Sequence, residues 1–325
     1  MRARVGALLA ALALAWGGAA LAAAPAAPSP GPATDCPPDP APPTYDEVQA
    51  GMRAATDHGL LWKATRDGRT VWLYGTIHVA RREWMYPGPR VMAALRASDV
   101  VALELDPTDA DILARLRGAI EARPGAPALP SALESRLRAQ IAAACLAPGA
   151  LDTLRPEMRA VTLEVLQGRR DGLYPAYGID AFVAGLAHGL RKPIRSLETP
   201  EAQAALLVDD DPRETARAVA QVLDELDSGK APEVLRRLAG DWARGDLDDL
   251  GAYGSWCGCL DTPERRVDFA RMVGERNPPM ADRVAQWHAQ GRSLFVAVGA
   301  LHMLGPDGLP ELLRARGFAV ERVTH

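Results

Sequence analysis

Two stretches near opposite ends of the chain follow one plan. Val71-Trp72-Leu73-Tyr74-Gly75-Thr76-Ile77-His78 and Leu294-Phe295-Val296-Ala297-Val298-Gly299-Ala300-Leu301-His302 each run apolar for the length of a strand, reach a glycine, and place a histidine three residues later. A continuous apolar run of that length reads as a strand covered on both faces, the kind parallel sheets carry. Glycine permits the sharp turn at its end. A third run, Val100-Val101-Ala102-Leu103-Glu104-Leu105-Asp106, finishes in two carboxylates. Open α/β sheets gather ligand sites outside the carboxyl ends of their strands. His78, Glu104 and His302 are therefore expected to converge, although they lie far apart in the chain. Gly185-Leu186-Ala187-His188 has the same spacing but lies in a helical pattern and meets Gly189, so it reads as a helix terminus.

The rest of the pattern surrounds these strands with helices. A helix is expected over 45–58, then two strands over 60–65 and 70–74 around the turn Asp67-Gly68. A helix follows over 90–97. A long helical middle begins near Asp109, broken by Pro124, Pro127, Pro130 and Pro148. Helices over 181–190, 202–206, 213–226, 232–242, 263–273 and 280–290 continue it, with a short strand over 193–197. The chain closes with a helix over 311–316 and a strand over 319–323. Strands near both ends and helices between them predict an α/β fold: a central sheet with flanking helices and a large helical insertion, about 109–290, between the N-terminal and C-terminal strand regions.

Residues 1–23 read as a secretory signal peptide. Arg2 and Arg4 precede an uncharged apolar stretch from Val5 to Ala24, and small residues near Ala20, Ala22 and Ala23 suit cleavage. An uncleaved anchor is the alternative, with alanine and glycine making it a poor one. Residues 24–44, rich in proline and alanine, read as a linker before the domain at 45–325. The expected location is periplasmic or secreted, with no membrane span after signal removal. Export makes the even cysteine count meaningful: Cys36, Cys145, Cys257 and Cys259 are expected to form two disulfides. Cys257-Gly258-Cys259 looks too tight to close on itself, so each of its cysteines is expected to reach Cys36 or Cys145. A redox or metal-binding C-x-C is the alternative. A net charge of -4 and an aromatic content of 5% offer no footprint for nucleic acid. Oligomeric state is open.

Glu104 inside an apolar run needs either a salt bridge or a function, because an unpaired buried charge is costly. Two histidines with one carboxylate are a common divalent-metal set. Taken with Tyr177-Gly178-Ile179-Asp180, Lys192-Pro193, Leu197-Glu198-Thr199 and Glu275-Arg276-Asn277, these motifs in this order resemble the TraB/PrgY/GumN family. Its relatives include the Tiki metalloproteases and, more remotely, the erythromycin esterases and the haem-binding ChaN proteins. The resemblance runs from about Leu60 to the C-terminus.

It implies a Tiki-like fold with paired Gly-x-x-His motifs at the active site. It further implies His78, His302 and Glu104 as ligands of a divalent metal ion (Mn, Co or Zn). His78, Glu104 and Arg276 would be catalytic, Glu104 as ligand or general base and Arg276 on a substrate carboxylate or oxyanion. Asp180, Glu198, Glu275 and Asn277 would support them or touch substrate. In the esterase-like relatives the histidine and glutamate would activate water without metal. The expected function is an exported, metal-dependent, peptidase-like hydrolase acting on a peptide or small molecule. The alternative is a non-catalytic periplasmic protein that binds or sequesters a peptide or other ligand.

Overall fold

The computed structural model describes residues 36–324. The leader read at 1–23 lies outside the described residues, as does most of the linker.

The fold begins with α1 (Tyr45–Ala54), whose N-terminus is closed by reciprocal bonds between Thr44 and Glu47. The expected helix to residue 58 stops four residues early. The chain turns out at Ala55, and the Asp57 carboxylate instead accepts backbone N–H bonds from Arg90 and Val91 at the start of α2 (Pro89–Ala97). Between them β1 (Leu60–Arg66) and β2 (Arg69–Thr76) form a hairpin with Arg66 opposite Arg69. Asp67 and Gly68 both sit at positive φ, 50° and 73°. That is the turn whose twist matches flanking strands, and it is why the sequence there is Asp-Gly.

β3 (Val100–Leu103) leads into α3 (Ala110–Ile120), α4 (Ser131–Ala143), α5 (Pro156–Val165) and α6 (Ile179–Gly189). β4 (Ile194–Ser196) follows, then α7 (Pro200–Leu207), α8 (Pro212–Asp227), α9 (Ala231–Arg244), α10 (Leu247–Gly251), α11 (Tyr253–Trp256), α12 (Pro263–Met272) and α13 (Asn277–Ala289). β5 (Leu294–Gly299), α14 (Leu309–Ala315) and β6 (Ala319–Val323) complete the chain. The helical insertion is thus two blocks, because β4 returns to the sheet midway. The short α10 and α11 lack a sequence signal long enough to be read.

The six strands lie in the order β4-β3-β5-β2-β1-β6. β4, β3, β5 and β2 are mutually parallel, while β1 runs antiparallel to β2 and β6. The last strand to arrive among the four, β5, inserts between β2 and β3. Leu294, Phe295, Val296 and Val298 are fully buried there, with α6 and α13 packed against the strand. That central position explains an apolar run without alternation. Helices α3, α4, α5, α7 and α8 bury a second cluster of their own, with Leu137, Met158, Leu163, Val219 and Leu223 at its centre.

All four cysteines are bonded, but not as expected. Cys36 pairs with Cys145, and Cys257 pairs with Cys259 across one residue. The turn at Gly258, φ +63°, leaves the two Cα atoms 5.1 Å apart, within ordinary disulfide reach. The linker reading is also corrected where it is described. After Cys36 the backbone carbonyls of Pro37, Pro38 and Ala41 accept bonds from Arg169, Tyr174 and Tyr177. Residues 36–44 are strapped to the helical layer rather than extended from it.

Candidate functional site

The parallel strands carry their chemistry to one edge. Taken across the sheet, β4 is followed by Glu198, β3 by Glu104, β5 by His302 and β2 by His78. Pairing of Thr76 with Gly299, and of Leu103 with Ala297 and Ser196, sets these strand ends level. His78, Glu104, Arg276 and His302 line one pocket of about 800 Å³, part of it open to solvent. A methyl placed on Gly299 would stand 3.5 Å from Glu104 Oε1, 3.6 Å from His302 Cδ2 and 3.7 Å from His78 Nε2. The three side chains therefore surround a single spot, and glycine leaves it empty.

Each imidazole is braced from behind. His78 Nδ1 lies 2.8 Å from Asp180 Oδ2, and the other Asp180 oxygen accepts from Thr76 Oγ1 at 2.5 Å. His302 Nδ1 lies 2.6 Å from Asn277 Oδ1, while Asn277 Nδ2 donates to the Asp307 carbonyl at 2.8 Å. That second bond fixes which end of the amide faces the ring. His302 Nδ1 must then carry the proton, and Nε2 is left as an acceptor. The carboxylate beside His78 imposes the same tautomer. Both Nε2 atoms are thereby released from structural bonds.

The two rings titrate in opposite directions. Burial alone would lower the His78 pKa, but the Asp180 charge and hydrogen bond, helped by Glu104, raise it above 6.5. Burial, reinforced by the Arg276 charge, pushes His302 down to about 3. His302 is a neutral imidazole across the physiological range. Burial would raise the Glu104 pKa, yet the Arg276 guanidinium holds this carboxyl well below the usual carboxylate range.

Arg276 is a clamp. Its Nε donates to Glu198 Oε1 at 2.9 Å, and Nη2 donates to Glu198 Oε2 at 2.5 Å and to Glu104 Oε2 at 2.6 Å. Nη1 donates to the Met272 carbonyl. Gln203, which sequence reading missed, donates to both Glu104 and Glu198 at 3.1 and 2.8 Å. In this structure Arg276, expected on a substrate carboxylate or oxyanion, is engaged with the protein's own Glu104 and Glu198. Three of its five N–H groups serve the protein's own acids, and a fourth donates to the Met272 carbonyl. Glu275 is exposed and does not line the pocket. Asp106 caps the turn after β3 through Thr108.

As they stand, His78, His302 and Glu104 do not make a metal-ligand set. The braced imidazoles suit one, but Glu104 turns only Oε1 toward them, and that oxygen already accepts from Gly299 N at 2.9 Å. Its partner oxygen is taken by Arg276 and Gln203. Among the described residues no group of three or more His, Cys, Asp or Glu side chains is placed to hold a metal ion. The site instead suits a water, for which His302 Nε2 and Glu104 Oε1, 3.7 Å apart, are acceptors.

The TraB/PrgY/gumN family model matches residues 60–322, so the chain belongs to that family. No curated protein and no solved structure matches it. Among the described residues no helix is long and apolar enough to cross a membrane.

Proposed function

We propose that this member of the TraB/PrgY/gumN family is an exported hydrolase that cleaves an amide or ester bond with water activated at His78. One observation carries the reading: two imidazoles, each locked from behind at Nδ1, aim Nε2 at a shared spot beside an ionised carboxylate. Asp180 orients His78 and stabilises its cation, which lets the ring both accept and return a proton. The clamped Glu104, with neutral His302 beside it, accepts a hydrogen bond from one proton of the water, and His78 Nε2 faces the other. His78 Nε2 takes one proton as the water oxygen bonds to the substrate carbonyl carbon. The imidazolium then gives that proton to the departing nitrogen or oxygen as the carbonyl bond to it breaks. The water is consumed and the products are an acid and an amine or alcohol.

Full pairing of the four cysteines supports an oxidising compartment. The test is hydrolysis of a peptide and ester panel by the disulfide-bonded chain, before and after exhaustive chelation. Activity that survives chelation and falls at least 100-fold in His78→Ala supports the reading. Activity lost to a chelator and restored by manganese, cobalt or zinc returns the metal-dependent form, to which the braced imidazoles also lend themselves. Binding without turnover across the panel would leave a sequestering protein.

A further inference from the structure

His78 and Glu104 stand at a junction between two unequal chambers. The larger is the pocket already described; the smaller, about 400 Å³ with the space open to solvent included, is lined by Leu105, Asp106, Leu113 and Gln203, and shares His78 and Glu104 with it. The far wall of the larger chamber comes from the helical insertion and is apolar except for the buried carboxylate of Glu164 on α5. Val165 ends α5, Leu238, Ala239 and Trp242 lie along α9, and Leu250 belongs to α10. Trp242 is locked there by donating Nε1 to the Gly75 carbonyl at 2.7 Å, so it offers its ring and no free donor. Most side chains of that wall have nothing to give a substrate except contact. The polar groups are concentrated on the floor, where bond cleavage is placed.

We infer that the substrate carries a bulky apolar group next to the scissile carbonyl, seated in the larger chamber against α9. This rests on the hydrolase reading and adds what that reading lacks, the class of substrate. The apolar group is either an acyl tail or a peptide side chain such as that of leucine. Its recognition is by burial, and burial of one methylene is worth about fourfold in a binding constant.

The experiment uses the full oxidised chain and two substrate series. Para-nitrophenyl esters from acetyl to octanoyl test a tail; glycyl and leucyl para-nitroanilides test a side chain. Expected is a kcat/KM that climbs at least threefold per methylene over the first four carbons, or a leucyl preference above 50-fold. The series that responds identifies the source of the apolar group. Val165→Phe, at a half-buried wall position, is expected to flatten whichever slope is seen by at least tenfold. Ala239→Phe, deeper in the wall, provides the second variant should the first misfold.

Failure of the inference and failure of the hydrolase reading separate through binding. Calorimetry with N-octanoyl and N-acetyl glycinamide on His78→Ala needs no turnover. A tight octanoyl ligand with no hydrolysis anywhere keeps the apolar chamber and overturns the hydrolase. Hydrolysis with a flat dependence in both series overturns the chamber and keeps the hydrolase. No hydrolysis and equal binding overturns both.

Discussion

At the scale of single residues, the site depends on one missing side chain and one charge. Gly299 has φ -48° and ψ 136°, which alanine adopts freely, and its added methyl would meet only ordinary contacts. That methyl would nevertheless occupy the spot ringed by His78, Glu104 and His302. Gly299→Ala is therefore expected to abolish hydrolysis, at least 100-fold, while thermal unfolding shifts by no more than a few degrees. An active variant would mean the reacting atoms sit elsewhere. The charge is that of Asp180. His78 must be neutral to accept a proton, and Asp180 raises its pKa above 6.5. Activity should thus rise with pH through a value above 6.5. In Asp180→Asn the stabilising charge is gone, so this limb moves to lower pH and kcat falls, because the imidazolium formed in the step has lost its partner. A pH–rate profile with an unmoved limb would remove His78 as the titrating base.

Elements decide which of these features sequence alone reveals. Buried parallel strands announce themselves by continuous apolar runs, so β2, β3 and β5 were legible, and with them the convergence of His78, Glu104 and His302. The hairpin turn was legible because positive φ at two successive positions demands Asp-Gly. What stayed hidden depends on partners distant in the chain. Arg276 was readable as a functional candidate, but its commitment to Glu104 and Glu198 follows from β3 and β4 lying side by side beneath the turn that precedes α13. Gln203 sits one turn into α7 and looks like any helical glutamine until β3 brings Glu104 to it. Gly178 shows the same limit. A Cβ there would come within 2.7 Å of the His78 carbonyl, so α6 can start against β2 and deliver Asp180 only from a glycine. The spacing of Tyr177-Gly178-Ile179-Asp180 marks a motif without disclosing that contact.

The same distinction governs the disulfides. The Cys36–Cys145 bridge closes a loop of 109 residues that holds the hairpin, β3 and much of the first helical block. Loop-closure entropy assigns such a bridge about 4–5 kcal/mol, and the C-x-C bridge, closing almost nothing, about 1–2 kcal/mol. Cys36→Ala with Cys145→Ala is expected to lower the denaturant midpoint far more than Cys257→Ala with Cys259→Ala. Equal losses would show that the small bridge acts through native packing around Tyr253, whose hydroxyl lies 3.3 Å from Cys259 Sγ, and not through the unfolded chain.

Over the whole molecule, the buried charges of the site should set its response to acid. His302 has a folded pKa of about 3 against 6.5 for a free imidazole, so the unfolded chain binds its proton first. Stability must then fall as pH drops from about 6.5 toward 3. Glu104 acts in the same direction. Its depressed pKa contributes stability that is present above 4.5 and is lost on further acidification. His78 opposes both, since its raised pKa adds stability below 6.5 that disappears as pH rises through the folded value. Two groups against one, with the His302 pKa pushed down to about 3 by burial, make acid lability the net expectation. Each unit corresponds to about 1.4 kcal/mol, so the loss between pH 6.5 and pH 4 is on the order of a few kcal/mol. His302→Gln replaces the ring by a neutral side chain that gains no charge in acid. Urea midpoints measured from pH 7 to pH 4 should decline steeply in the parent chain and clearly less in the variant. Parallel curves would mean that the acid response comes from the carboxylates alone, and that the His302 ring is more open to water than its packing against Asn277 and Arg276 implies.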